Sequence, residues 1–156
     1  MNDRAWRNGE GAAPALDFDT LAAMVGNCAF HQWLGVKLVR LDDTGIVIRM
    51  PWRAEFTSDP DRGYAHGGVL ASLIDLAADY AVAARLGRGA PTVDMRVDYH
   101  RAAMPGPLIA RAAVIKLGGT LATAEARIFD ERDELVASGR ALFFTRAPSG
   151  KKESGA

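Results

Sequence analysis

Gly68-Val69-Leu70-Ala71-Ser72-Leu73-Ile74-Asp75-Leu76-Ala77-Ala78-Asp79-Tyr80-Ala81-Val82-Ala83-Ala84-Arg85-Leu86 decides the fold of this 156-residue chain. Leu70, Leu73, Ile74, Ala77, Ala81 and Ala84 recur at the helical period and fall on one face. Gly87 follows as a stop. A helix this apolar has to be buried, and the rest of the chain supplies strands to bury it. Short strands are predicted at 35–41 and 45–52, around the turn Asp42-Asp43-Thr44-Gly45. Four more are predicted after the helix, at 91–100, 106–117, 120–129 and 134–146, divided by Met104-Pro105-Gly106-Pro107, Gly118-Gly119 and Asp130-Glu131-Arg132-Asp133. Val93, Met95, Val97 and Tyr99 alternate with Thr92, Asp94, Arg96 and Asp98, the pattern of a half-buried strand. Strands joined by tight turns pair antiparallel. The economical arrangement is an α+β domain in which an antiparallel sheet wraps around one long central helix.

Outward from this core, Leu21, Met24, Val25, Cys28 and Phe30 suggest an earlier helix from Thr20 to Leu34, capped by Asp19 or Thr20. A loop rich in Asp, Pro and Gly runs from Thr57 to Tyr64. Residues 1–16 and 147–156 are polar and Gly-rich or Lys-rich and read as disordered tails, leaving one folded domain at 17–146. Nineteen Lys and Arg balance nineteen Asp and Glu, so no global field recruits nucleic acid or an anionic membrane. No run of about 18 apolar residues is present to span a bilayer. The single cysteine, Cys28, excludes an intrachain disulfide and fits a reducing cytoplasm.

The chemistry concentrates in Gly63 to Asp75. Gly67-Gly68 opens the long helix, where backbone N–H groups lack intrahelical partners and glycine lets a ligand approach. With the helix dipole, this end suits an oxygen gaining negative charge; the plain alternative is a tight loop-to-helix connection. Asp75 lies beside the apolar stripe, on a flank shared with Ala71, Ala78 and Val82. An unpaired carboxylate there is costly, so a salt bridge to Arg96 or Arg101 competes with a catalytic role. Asp79, further round, reads as solvated. His66 reads as a hydrogen-bonded structural residue, with a catalytic role as the competing reading. Cys28 and His31 stand one turn apart, yet Cys28 falls on the apolar stripe, where thiols are inert. There is no Gly-x-Ser-x-Gly elbow and no phosphate loop.

The run Gly63 to Asp75 resembles the PaaI-like acyl-CoA thioesterases of the hotdog-fold superfamily, whose motif places an Asp nine residues after the His of His-Gly-Gly. His66 and Asp75 keep that interval. Thr92-Val93-Asp94-Met95 is similar to the family's Ser/Thr-Val-Asp-Met/Leu strand. The resemblance covers nearly all of 17–146 and implies hydrolysis of acyl-CoA to free acid and CoA, with no metal and no cofactor beyond the CoA of the substrate. It implies Asp75 as nucleophile or general base, and Gly68, with Gly67, donating N–H to the thioester oxygen. Thr92 from a neighbouring subunit would position water, and His66 would contact substrate. It also implies a homodimer or a homotetramer built as a dimer of dimers. Family members often carry Asn-Pro-x-Gly before the His. Here position 60 is proline, so Asp61 or Asp59 supplies that polar contact or the contact is missing. A non-catalytic acyl-CoA sensor and an enoyl-CoA hydratase or dehydratase are the competing readings.

Overall fold

A computed structural model describes residues 13–146. Its elements are α1 (Phe18–Asn27), α2 (Ala29–Leu34), β1 (Lys37–Asp42), β2 (Gly45–Met50), a 3-10 turn at Ala54–Phe56, α3 (Gly67–Leu86), β3 (Thr92–Tyr99), β4 (Leu108–Leu117), β5 (Leu121–Phe129) and β6 (Leu135–Phe144). The six strands form one antiparallel sheet in the order β1-β2-β4-β5-β6-β3. This sheet wrapped on α3 is the hotdog architecture.

The inner face explains how the helix fits. Ala110, Ala112, Ala122, Ala124 and Ala126 on β4 and β5 are buried, as are Ile74, Ala77 and Ala81 on the facing stripe of α3. Short side chains on both surfaces let the helix axis come close to the strands. Gly139 on β6 completes the seat, because a Cβ there would stand 2.5 Å from Ile74 Cγ2 and 2.8 Å from the Arg96 carbonyl oxygen. The larger side chains Ile46, Ile48, Met50, Leu108, Ile128 and Phe143 close the ends of the core.

Three expectations need correction. The first helix is two: Cys28, with φ −80° and ψ 123°, leaves the helical region and separates α1 from α2. The cap of α1 is Asp17, whose carboxylate accepts from Thr20 N–H at 2.7 Å. The last four strands, though divided by turn clusters, do not all lie side by side in chain order. The segment holding Met104-Pro105-Gly106-Pro107 carries the chain from β3, at one edge, to β4 in the middle of the sheet. Turn residues announce a change of direction, whereas the strand's destination depends on the whole inner face.

The expected tails lie largely outside the described residues. Within them, Ala15 and Leu16 donate their N–H groups to Ala84 O at 2.7 and 3.2 Å, tying this stretch to the end of α3. No helix among the described residues is long and apolar enough to cross a membrane.

Candidate active site

The loop before α3 is fixed by its backbone. Ser58 N–H donates to Tyr64 O at 2.9 Å, and Thr57 bridges Ala65. Ala65 and His66 then donate to Ala103 O and Phe56 O, at 2.8 and 2.7 Å. The start of α3 is thereby anchored to the buried Ala103 and Phe56. His66 is the N-cap, one residue before the helix start, and its Nδ1 accepts from Gly68 N–H at 2.9 Å. A backbone N–H can only donate, so Nδ1 is the acceptor and the ring proton sits on Nε2. Gly68's amide is therefore engaged. Among the described residues nothing accepts from Gly67 N–H, which stands as the open donor at this helix end.

Two turns further on, Asp75 Oδ1 accepts from Thr92 Oγ1 at 2.8 Å. Both residues belong to the same chain. The competing salt bridge is not formed, since Arg96 pairs with Asp98 and Arg101 with Glu134, each at 3.0 Å. Asp75 is partly buried and keeps Oδ2 clear of these contacts.

A bulge in β3 makes the Thr92 contact possible. Thr92 pairs with Phe143 and Asp94 with Leu142, so Val93 is an extra residue in the ladder. Strict alternation sends Thr92 and Tyr99 to opposite faces; the bulge turns both toward α3. Tyr99 Oη donates to Gly67 O at 3.0 Å, and a Cβ on Gly67 would meet the Tyr99 ring at 3.3 Å. The sequence reading gave Tyr99 no part in the site, because no residue pattern announces a bulge at Val93. The half-buried reading of β3 also needs amendment: Met95 and Val97 are half-buried, but Val93 is 57% exposed and Tyr99 55% exposed. Beyond β3 the sheet has no further strand to cover them.

Asp79, expected to be solvated, is largely withdrawn from solvent one turn beyond Asp75. Its carboxylate accepts from Ala90 N–H at 3.3 Å. Burial pushes its pKa up to about 6, and the Asp75 charge adds to that rise. Asp59 is occupied locally, accepting from the N–H groups of Asp61 and Arg62 at 2.9 and 3.2 Å. The Asp61 side chain lies exposed on this loop, and no contact among the described residues joins it to His66, Gly67 or Asp75. Cys28 and His31 do not form a dyad: His31 Nδ1 bonds to Val25 O at 3.1 Å, and its ring meets the edge of Tyr80.

The assembled geometry is an acceptor carboxylate, a hydroxyl aimed at it, and an amide-rich helix start on the same helix. Comparison with known proteins places the chain in a family. Residues 62–137 match the family model described as the thioesterase superfamily. Over 142 residues the chain is 33% identical to a protein of Halobacterium salinarum whose name assigns it provisionally to the esterases; the match covers 81% of this chain and 93% of that one. The chain belongs to the thioesterase superfamily. One crystal structure from this superfamily matches with a TM-score of 0.81 at 46% identity, covering 82% of this chain and 97% of the other. The PaaI protein of the Escherichia coli phenylacetic acid degradation operon matches with a TM-score of 0.74 at 26% identity, covering 81% and 91%. Superfamily membership carries thioester hydrolysis as the general chemistry, and the matched segment spans Gly67, Asp75 and Thr92.

Proposed function

We propose that this protein hydrolyses acyl-CoA thioesters to the free acid and CoA, with Asp75 as the reacting carboxylate. The observation that carries the reading is the 2.8 Å bond from Thr92 Oγ1 to Asp75 Oδ1, on the helix that His66-Gly67-Gly68 begins. Thr92 holds one carboxylate oxygen and leaves the other for a water or for the thioester carbon.

In the general-base form, Asp75 Oδ2 takes a proton from water as the water oxygen bonds to the carbonyl carbon. The carbonyl π electrons move onto oxygen, and the resulting oxyanion is met by Gly67 N–H and His66 Nε2–H. Gly68 N–H, spent on His66 Nδ1, orients that imidazole and acts on the oxyanion through it. The tetrahedral adduct then re-forms the carbonyl and expels CoA thiolate, a leaving group that needs no dedicated acid. In the nucleophilic form, Asp75 Oδ2 bonds to the carbonyl carbon, the C–S bond breaks and CoA thiolate leaves a mixed anhydride. Water cleaves that anhydride to the acid and the free Asp75 carboxylate. A preorganised donor of this kind is worth about a hundredfold or more in rate. Gly67 and Asp75 stand eight residues, about 12 Å, apart along α3. In the proposed dimer, one carbonyl is therefore served by the Asp75 of one subunit and the helix start of a second copy.

The open edge of β3, with Val93 and Tyr99 exposed, supports a homodimer or a homotetramer made of two such dimers. The single free thiol Cys28 supports a cytoplasmic location. Asp61, exposed on the loop before α3, is the proposed polar contact in place of the Asn that family members often carry upstream of the His. Hydrolysis of a panel of acyl-CoAs, with enoyl-CoA assayed in parallel, tests the reading. Turnover by the wild type and its loss in Asp75→Asn are expected. Full turnover in that variant, or hydration of enoyl-CoA in place of hydrolysis, overturns it.

A further inference from the structure

We propose that Tyr99 is a positioning residue for this site, acting on His66 through the Gly67–Gly68 peptide; the inference rests on the hydrolase reading above. The two bonds involved share one peptide unit. Tyr99 Oη donates to Gly67 O at 3.0 Å, and the N–H at the other end of that unit, on Gly68, donates to His66 Nδ1 at 2.9 Å. A hydrogen bond received at the carbonyl polarises the peptide and strengthens the one its N–H makes. The consequence falls on the imidazole: Nδ1 is held as acceptor, so Nε2 carries the proton and is the donor available to substrate.

Packing points the same way. The Tyr99 ring lies against Gly67 so closely that a Cβ there would approach three ring and hydroxyl atoms within 3.4 Å. Within the chain, the Tyr99 hydroxyl bonds to the first residue of α3. The bulge at Val93 completes the arrangement, since it lets one strand hold Asp75 at its start and the Gly67 peptide at its end. β3 thus reaches both the carboxylate and the helix start from one strand.

Tyr99→Phe keeps the ring and removes the hydroxyl. The expected result with acyl-CoA is a fall in kcat of about tenfold, with KM changed less than twofold and Tm within about 2 °C of wild type. In parallel, nitrogen NMR of the His66 ring should show the Nε2–H tautomer in the wild type and a mixture of tautomers in the variant. An unchanged kcat in an active enzyme overturns the proposal, as does a fall in kcat that tracks a loss of Tm. If the wild type hydrolyses no acyl-CoA, the hydrolase reading fails, and the NMR comparison decides alone: one unaltered tautomer in Tyr99→Phe overturns the inference.

Discussion

Thr92 Oγ1 stands 2.8 Å from Asp75 Oδ1, joining the first residue of an edge strand to the middle of the buried helix. A hydroxyl donating to a carboxylate contributes about 1.5–3 kcal/mol where it is shielded and less where water competes. Thr92 is exposed, so its effect on folding is small and its effect on the carboxylate's aim is the larger one. Thr92→Ala should lower kcat about tenfold or more while Tm moves by a few degrees at most. Thr92→Ser, which restores the donor, should recover most of the rate. A fully active Thr92→Ala enzyme in steady-state assays removes this residue from the site.

Gly68 separates helix stability from site geometry. Alanine favours a helix over glycine by about 1 kcal/mol. A Cβ at this position, however, would stand 3.0 Å from His66 Nδ1 and 3.3 Å from Cε1, displacing the imidazole. Gly68→Ala is therefore expected to keep or raise Tm while activity drops at least tenfold. Thermal denaturation and kinetics on one preparation check both halves.

Asp79 makes stability depend on pH. Its carboxyl, desolvated and facing Asp75, has its pKa raised from 3.8 to about 6. The folded state prefers the protonated form, so the stability this provides is fully present below the ordinary value and is lost as pH rises through about 6. The interval corresponds to at most about 3 kcal/mol, less after local relaxation. Asp79→Asn retains an acceptor for Ala90 N–H and abolishes the titration. Its Tm should exceed wild type at pH 8 and converge with it near pH 4. Parallel Tm curves across that range would contradict the assignment.

Gly139 tests the seat of the helix. Its added Cβ would collide with Ile74 Cγ2 and with the Arg96 carbonyl, and the second of these is backbone that no rotamer change relieves. Overpacking of this kind costs about 1–3 kcal/mol. Gly139→Ala should lower Tm by roughly 2–12 °C, and Ile74→Val in the same chain should recover only part of the loss. Calorimetry of the single and double variants measures it.

Periodicity alone showed where the elements lie. The 3.6-residue stripe from Leu70 to Ala84, the stop at Gly87 and the turn clusters between strands are local properties, dictated by backbone freedom and by which side chains seek burial. Both His66-Gly67-Gly68 at the helix start and Asp75 on its small-residue flank were legible for the same reason. Pairing was another matter. That β3 closes the sheet beside β6, that Val93 bulges, and that Thr92 and Tyr99 consequently face the same helix all depend on contacts between residues far apart in the chain. The break at Cys28 and the burial of Asp79 arose in the same way, from surfaces that meet only after folding. Local chemistry thus named the candidate groups, and long-range packing decided which oxygen, amide and hydroxyl would point at one another, since a one-residue shift in a strand reverses every side chain beyond it.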